Sequence, residues 1–131
     1  MDQETNITLC CPSRGRPEYA KRMQNSAFAT AANPNNIKVK FYLNQDDPML
    51  KQYDVIDAEI GIDRSTVMSW NLLAEKERSR MYMLVGDDAE FITTGWDRIF
   101  LQQYRKYPDG IFMIGTATAV SYTHLRAHET V

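Results

Sequence analysis

The sequence predicts an α/β fold, a mostly parallel sheet with helices on both faces. Three observations carry this expectation. Short β-prone runs alternate with segments whose apolar residues recur at helical spacing, the order in which crossover helices join parallel strands. One run, residues 81–85 (MYMLV), is continuously apolar, as expected of a strand covered on both faces. The runs also empty into polar turns, residues 12–16 (PSRGR), 44–47 (NQDD) and 86–90 (GDDAE), at the strand ends where open parallel sheets bind ligands.

Residues 6–11 (NITLCC) form the first β-prone run, closed by Pro12 and the turn formers Ser13, Gly15 and Pro17. Pro17 suits the first turn of a helix reaching about residue 32, with Tyr19, Met23 and Phe28 near one face. The Asn33, Pro34, Asn35, Asn36 cluster breaks it. In residues 37–43, Ile37, Val39, Phe41 and Leu43 alternate with Lys38, Lys40 and Tyr42, the period of a strand. Residues 55–60 read as a weaker strand closed by Gly61, and Asp63 as the N-cap of a helix over residues 64–80 with Val67, Trp70, Leu73 and Ala74 inward. The apolar run at 81–85 follows. Thr94 and Gly95 open another helix with Trp96, Ile99, Phe100 and Tyr104 inward, and residues 111–114 give a fifth strand.

With 131 residues, the chain is one domain at most, and 44% hydrophobic with 24% charged residues is average for a globular protein. Fifteen basic against 17 acidic residues leave a net charge of −2, which gives no electrostatic reason to expect nucleic acid or a membrane surface as a partner. No apolar run approaches the roughly 20 residues of a spanning helix, and MDQETN lacks the order of a secretion signal, so a cytoplasmic location is expected. Adjacent Cys10 and Cys11 point to opposite faces of an extended strand, and buried reduced thiols are expected of them.

His124 and His128, the only histidines, lie four apart, a spacing that suits zinc on a helix face. They fall within SYTHLRAHET, residues 121–130, which resembles the translation of a transposase-based adapter used to prepare DNA sequencing libraries. That resemblance implies a metagenomic reading frame cut where the insert ended, with residues 120–131 an adapter-derived tail and residues 1–119 the natural part. Residues 1–119 then hold no histidine, which excludes a Ser-His-Asp triad, a Cys-His pair and a His-ligated metal from them.

The chemistry should sit in the three polar turns. Arg14 and Arg16 face, across the expected cleft, the carboxylates of Asp46 with Asp47 and of Asp87 with Asp88, which suits an anionic ligand held partly through a divalent cation. Adjacent carboxylates at the end of a buried strand repel and are costly to desolvate unless a cation compensates. Mg²⁺ or Mn²⁺ completed by phosphate oxygens supplies that compensation, and Asp87, Asp88 and Glu90 are the candidate ligands. A solvated acidic turn is the plainer alternative.

The order PSRGRP, NQDD, WNLLAE, YMLVGDDAEF resembles the nucleotide-binding half of a GT-A-fold glycosyltransferase, most similar to family 2, over residues 6–115. The resemblance implies a three-layer α/β/α, Rossmann-like fold, truncated, that binds a nucleotide-diphospho-sugar donor. Pro12, Ser13, Arg14 and Arg16, with Asn44, Asp46 and Asp87, are then implied to bind the donor, and Arg64 and Asn71 to lie on the segment facing it. Asp88 matches the last carboxylate of the family's Asp-x-Asp metal motif, Asp87 its middle position and Gly86 its first, where glycine departs from the pattern. The implied reaction is inverting transfer of the sugar to an acceptor hydroxyl, the cation stabilising the departing nucleoside diphosphate. Its carboxylate base and most of the acceptor site are expected beyond the visible part, so no catalytic residue is nominated.

Three alternatives differ in what they need. The GDD turn also resembles that of RNA-directed RNA polymerases, which require a much longer chain and a basic template channel. A sugar-nucleotide pyrophosphorylase needs a Gly-rich phosphate loop, and SRGRPEYAKRM has the wrong spacing. A non-catalytic nucleotide-sugar-binding module remains, with Gly86 marking lost catalysis. Trp70, Trp96, Phe100 and Tyr104 are read as core rather than as sugar platforms.

Overall fold

The computed structural model describes residues 5–106. Four strands, β1 (Thr5–Ser13), β2 (Ile37–Asn44), β3 (Ala58–Gly61) and β4 (Ser79–Leu84), form one sheet in the order β3-β2-β1-β4, and each neighbouring pair is parallel. Helices α1 (Pro17–Thr30), α2 (Thr66–Lys76) and α3 (Trp96–Lys106) connect and cover it. The predicted α/β class and parallel sheet are therefore observed. The fifth strand expected at 111–114 and the tail at 120–131 lie outside the described residues.

Side-chain alternation sorts the sheet into two faces. Ile7, Leu9 and Cys11 of β1 and Ile37, Val39, Phe41 and Leu43 of β2 share a core with Ala20, Met23 and Ala27 of α1 and Trp96 and Phe100 of α3. Cys10 and Tyr42 point the other way and pack on Leu73, Trp70, Leu72 and Ala74 of α2. The result is three layers, α1 and α3 on one side and α2 on the other. Fully buried Phe41, Leu9 and Met23 each contribute about 1.5–3 kcal/mol over an exposed position.

Several boundaries differ from the sequence expectation for identifiable reasons. On α1 the buried stripe is Pro17, Ala20, Met23 and Ala27, and Tyr19 is outside it, because two alanines let the helix lie close to the sheet. The second helix starts later, with Ser65 rather than Asp63 as N-cap, its hydroxyl accepting from the Met68 amide. It ends at Lys76, and Ser79 and Arg80 belong to β4. Val55 has a left-handed backbone (φ 57) that a strand cannot use, so β3 is confined to Ala58–Gly61. β4 is covered on one face only among the described residues: Met81 and Met83 pack inward, whereas Tyr82 and Leu84 stay 41% and 52% exposed.

Pro12 sits inside β1 at no cost to the ladder. The Cys10 carbonyl accepts from the Val85 amide, so Pro12, of the same parity, turns its missing N–H toward the β4 side, beyond the last paired residue. The strand order reverses between β1 and β4, and the turns after β1, β2 and β4 meet at this carboxy edge.

Candidate nucleotide site at the carboxy edge of the sheet

The turn after β1 is shaped by Gly15, whose φ of 66 is strained for any side chain. Its amide donates to Asp47 Oδ2 at 2.7 Å, and Asp47 Oδ1 accepts from the Met49 amide at 2.8 Å. Buried Asp47 thus ties the β1 turn to the β2 turn. Pro17 at the first helical position then starts α1 directly behind Arg16.

A second tie joins the β1 turn to the β4 turn. Asp87 is buried, and its Oδ2 accepts from Ser13 Oγ at 2.7 Å and from Arg16 Nε at 3.3 Å, while Oδ1 accepts from Arg16 Nη2 at 2.6 Å. The Tyr53 hydroxyl lies 2.8 Å from Ser13 Oγ and accepts from the Arg16 amide at 2.9 Å. Burial raises the Tyr53 hydroxyl above its ordinary pKa, against the lowering effect of those two contacts. Directly below, burial raises the Cys11 thiol, reinforced by the charges of Asp87 and Asp88. Both cysteines are free and buried.

The remaining candidates, buried Asn44 apart, are more open to solvent. Arg14 Nη1 stands 3.5 Å from Asp46 Oδ1 and 3.8 Å from Asp63 Oδ1. Asn44, buried at the end of β2, donates from Nδ2 to Asp63 Oδ1 at 3.1 Å. The structure therefore brings Arg14, Asn44, Asp46 and Asp63 into one polar group. Arg64 stands beside this group but is engaged by Tyr42: its Nε donates to the phenol oxygen at 3.0 Å and its guanidinium lies over the ring. Asn71 is exposed on α2.

Asp88 and Glu90 are exposed on the β4 turn, where the Asp88 carbonyl accepts from Arg22 Nη2 at 3.2 Å. Arg22 and Arg16 both lie over the Tyr19 ring, so the start of α1 presents a cationic pair to this turn. Gly86 is close to it as well, since a Cβ there would meet Asp88 Oδ1 at 3.0 Å. Among the described residues no group of three or more His, Cys, Asp or Glu side chains is arranged to hold a metal. The exposed carboxylates of Asp88 and Glu90 do not make a cage from protein alone, so a hard cation here would need oxygens of a ligand to complete its shell. A cavity of about 330 Å³ lined by Asn6, Asn33, Asp97 and Leu101 is at the other end of β1 and has no part in this edge.

Sequence reasoning did not foresee that Asp47 and Tyr53 fix the β1 turn, or that Asp63 stands beside Arg14 and Asn44. Asp47 had a signal, since it is the second acid of a pair before proline, the place for a carboxylate that folds back on backbone amides. Tyr53 had none, because it lies in an irregular segment.

No family model matches the chain, and no curated protein matches it in sequence. Solved structures do. The crystal structure of S. aureus TarS 1-349 superposes with a TM-score of 0.56 at 12% identity, and the same protein in complex with UDP with a TM-score of 0.58 at 11% identity. In both cases 77% of this chain is covered and 32% of the other, so the chain spans about a third of the length of that structure. At such low identity the likeness shows a common Rossmann-like α/β fold. No helix among the described residues is long and apolar enough to cross a membrane.

Proposed function

We propose that the chain is the donor-binding part of a glycosyltransferase that takes a sugar from a nucleotide-diphospho-sugar and passes it to an acceptor hydroxyl. One observation carries this reading: the turns after β1, β2 and β4 converge where the strand order reverses, and they leave Arg14, Asp46 and Asp88 exposed around one edge. The resemblance of the ordered motifs to family 2 and the fold shared with a protein solved with UDP support it.

In this reading Asn44, Asp46 and Arg14 receive the base and ribose, and the first turn of α1 receives the diphosphate. Mn²⁺ or Mg²⁺ at Asp88 would supply charge neutralisation for the nucleoside diphosphate as it leaves. The chain's own share is binding and orientation: Asp47 and Asp87 fix the two turns between which the donor lies, so little ordering is left for the moment of binding. A non-catalytic nucleotide-sugar-binding module is the second reading, favoured by Gly86, which offers no carboxylate where the resembling family has one.

Calorimetry of the full chain with UDP tests the proposal. Tight binding with Mn²⁺, weakened about tenfold or more by a chelator, is expected, and Asp88→Ala should bind equally weakly under both conditions. Equal UDP affinity of the wild type with and without chelator would remove the metal from the reading. No UDP binding at all would remove the nucleotide.

A further inference from the structure

The two adjacent acids of the β4 turn live in opposite environments. Asp88 is exposed, whereas the Asp87 side chain is 4% exposed and receives Ser13 and the guanidinium of Arg16. Arg16 reaches it with two N–H groups, one to each oxygen, the two-point geometry that makes guanidinium and carboxylate a directional pair. Its backbone is held as well, because the Arg16 amide donates to the Tyr53 hydroxyl that also touches Ser13. Three donors from the β1 turn, Ser13 Oγ and Arg16 Nε and Nη2, therefore converge on Asp87, and Tyr53 braces both residues from behind.

A carboxylate already neutralised by a guanidinium is a poor ligand for a hard dication. To bind one, it would have to release Arg16 or accept a second cation beside the first, and either loses much of what the pair gains. Arg16, by contrast, is half exposed, and Asp87 engages two of the five N–H donors a guanidinium carries. The others are free to face an anion at the start of α1, where the helix N-terminus favours negative charge.

We propose that Asp87 is a positioning residue that aims Arg16 at the diphosphate, and that the cation is left to Asp88 alone. This rests on the nucleotide-sugar reading of the site and changes the role of one residue within it. Metal and diphosphate then bind as a unit, because a single exposed carboxylate holds a dication weakly without phosphate oxygens to complete its shell.

The test is a double-mutant cycle on UDP affinity in the full chain, with Asp87→Asn, Arg16→Gln and the double variant, each titrated with Mn²⁺ and with chelator. Each single substitution should weaken UDP binding by about tenfold, and the double variant should be no weaker than the worse single one. The ratio of affinities with and without Mn²⁺ should stay at the wild-type value in all three and collapse only in Asp88→Ala. Mn²⁺ titrated alone should bind weakly to wild type and Asp87→Asn alike. Additive losses, or a ratio that collapses in Asp87→Asn, would overturn the positioning role while leaving the nucleotide reading intact. Failure of the wild type to bind UDP would end both. If Asp87→Asn does not fold, Arg16→Lys carries the test through the exposed partner: it restores charge without the two-point grip, and full recovery of affinity would count against the proposal.

Discussion

The two halves of the carboxy edge are built on opposite terms. Where the β1 turn meets Asp87 and Tyr53 the contacts are short and at least one partner of each is buried: 2.6 Å from half-exposed Arg16 to Asp87, 2.7 Å from Ser13 to Asp87, and 2.8 Å between Ser13 and Tyr53. Around Arg14, outside the buried Asp47 tie, they are long and wet, 3.5 and 3.8 Å from Arg14 to Asp46 and Asp63, with the three side chains 52%, 64% and 72% exposed. Water competes poorly for buried charge-assisted hydrogen bonds and readily for exposed ion pairs. One half is therefore a fixed frame, and the other a set of groups that can trade partners with a ligand at little cost. The distinction can be broken by experiment, most strongly through pH.

Alkaline pH attacks the frame from beneath. Burial pushes the Cys10 thiol from an ordinary value of 9.0 to about 11, with the charge of Glu77 adding to it, and burial raises Cys11 and Tyr53 in the same direction. All three are neutral when protonated, and the folded state keeps each proton to higher pH than the unfolded chain does. Their contribution is thus fully present below the unfolded value and is lost as pH rises toward the folded one, since the unfolded chain deprotonates first. For Cys10 the window runs from 9.0 to about 11, and the expected loss is of the order of 2 kcal/mol. Urea midpoints compared at about pH 8 and about pH 11 should fall accordingly. A midpoint that stays level would mean that the thiols reach water and that the strand beneath the frame is not closed.

The next effect comes from within the frame. Tyr53→Phe keeps the ring in the core and removes the hydroxyl that joins Ser13 Oγ to the Arg16 amide. Leaving the amide and the hydroxyl short of a partner should cost about 1–2 kcal/mol, read as a lower urea midpoint at an unchanged slope. A change within a few tenths of a kcal/mol would place this half with the solvated one.

The fold was legible because its signals are periodic. Alternation in residues 37–43 and the apolar run before Gly86 were sufficient to place β2 and β4, and the turns that follow marked the carboxy edge. What escaped was pairing. Nothing local distinguishes Asp87 from Asp88: they are neighbours of one type, and only the approach of Arg16, 71 residues away in sequence, makes one of them part of the frame. The same holds for Asp97, whose carboxylate accepts from the amides of Ala32 and Asn33 just past the end of α1. The exposure of β4 also escaped, because a continuous apolar run reads the same whether its second face is covered or not.

The smallest expected effect on stability is the sharpest test of the contrast. Asp46 is exposed and meets Arg14 at the outer limit of a hydrogen bond, so Asp46→Asn should move the urea midpoint by less than about 0.5 kcal/mol. Its effect on ligand should be out of proportion. If Asp46 accepts from a ribose hydroxyl, replacing one carboxylate oxygen by an amide nitrogen turns an acceptor into a donor facing a donor, and UDP affinity should drop by about tenfold. Tyr53→Phe should show a larger loss of stability and a smaller direct loss of affinity. Were Asp46→Asn to destabilise the fold as much as Tyr53→Phe, the Arg14 group would be frame rather than site. The donor would then have to be sought on the β4 side, around Arg16, Arg22 and Asp88.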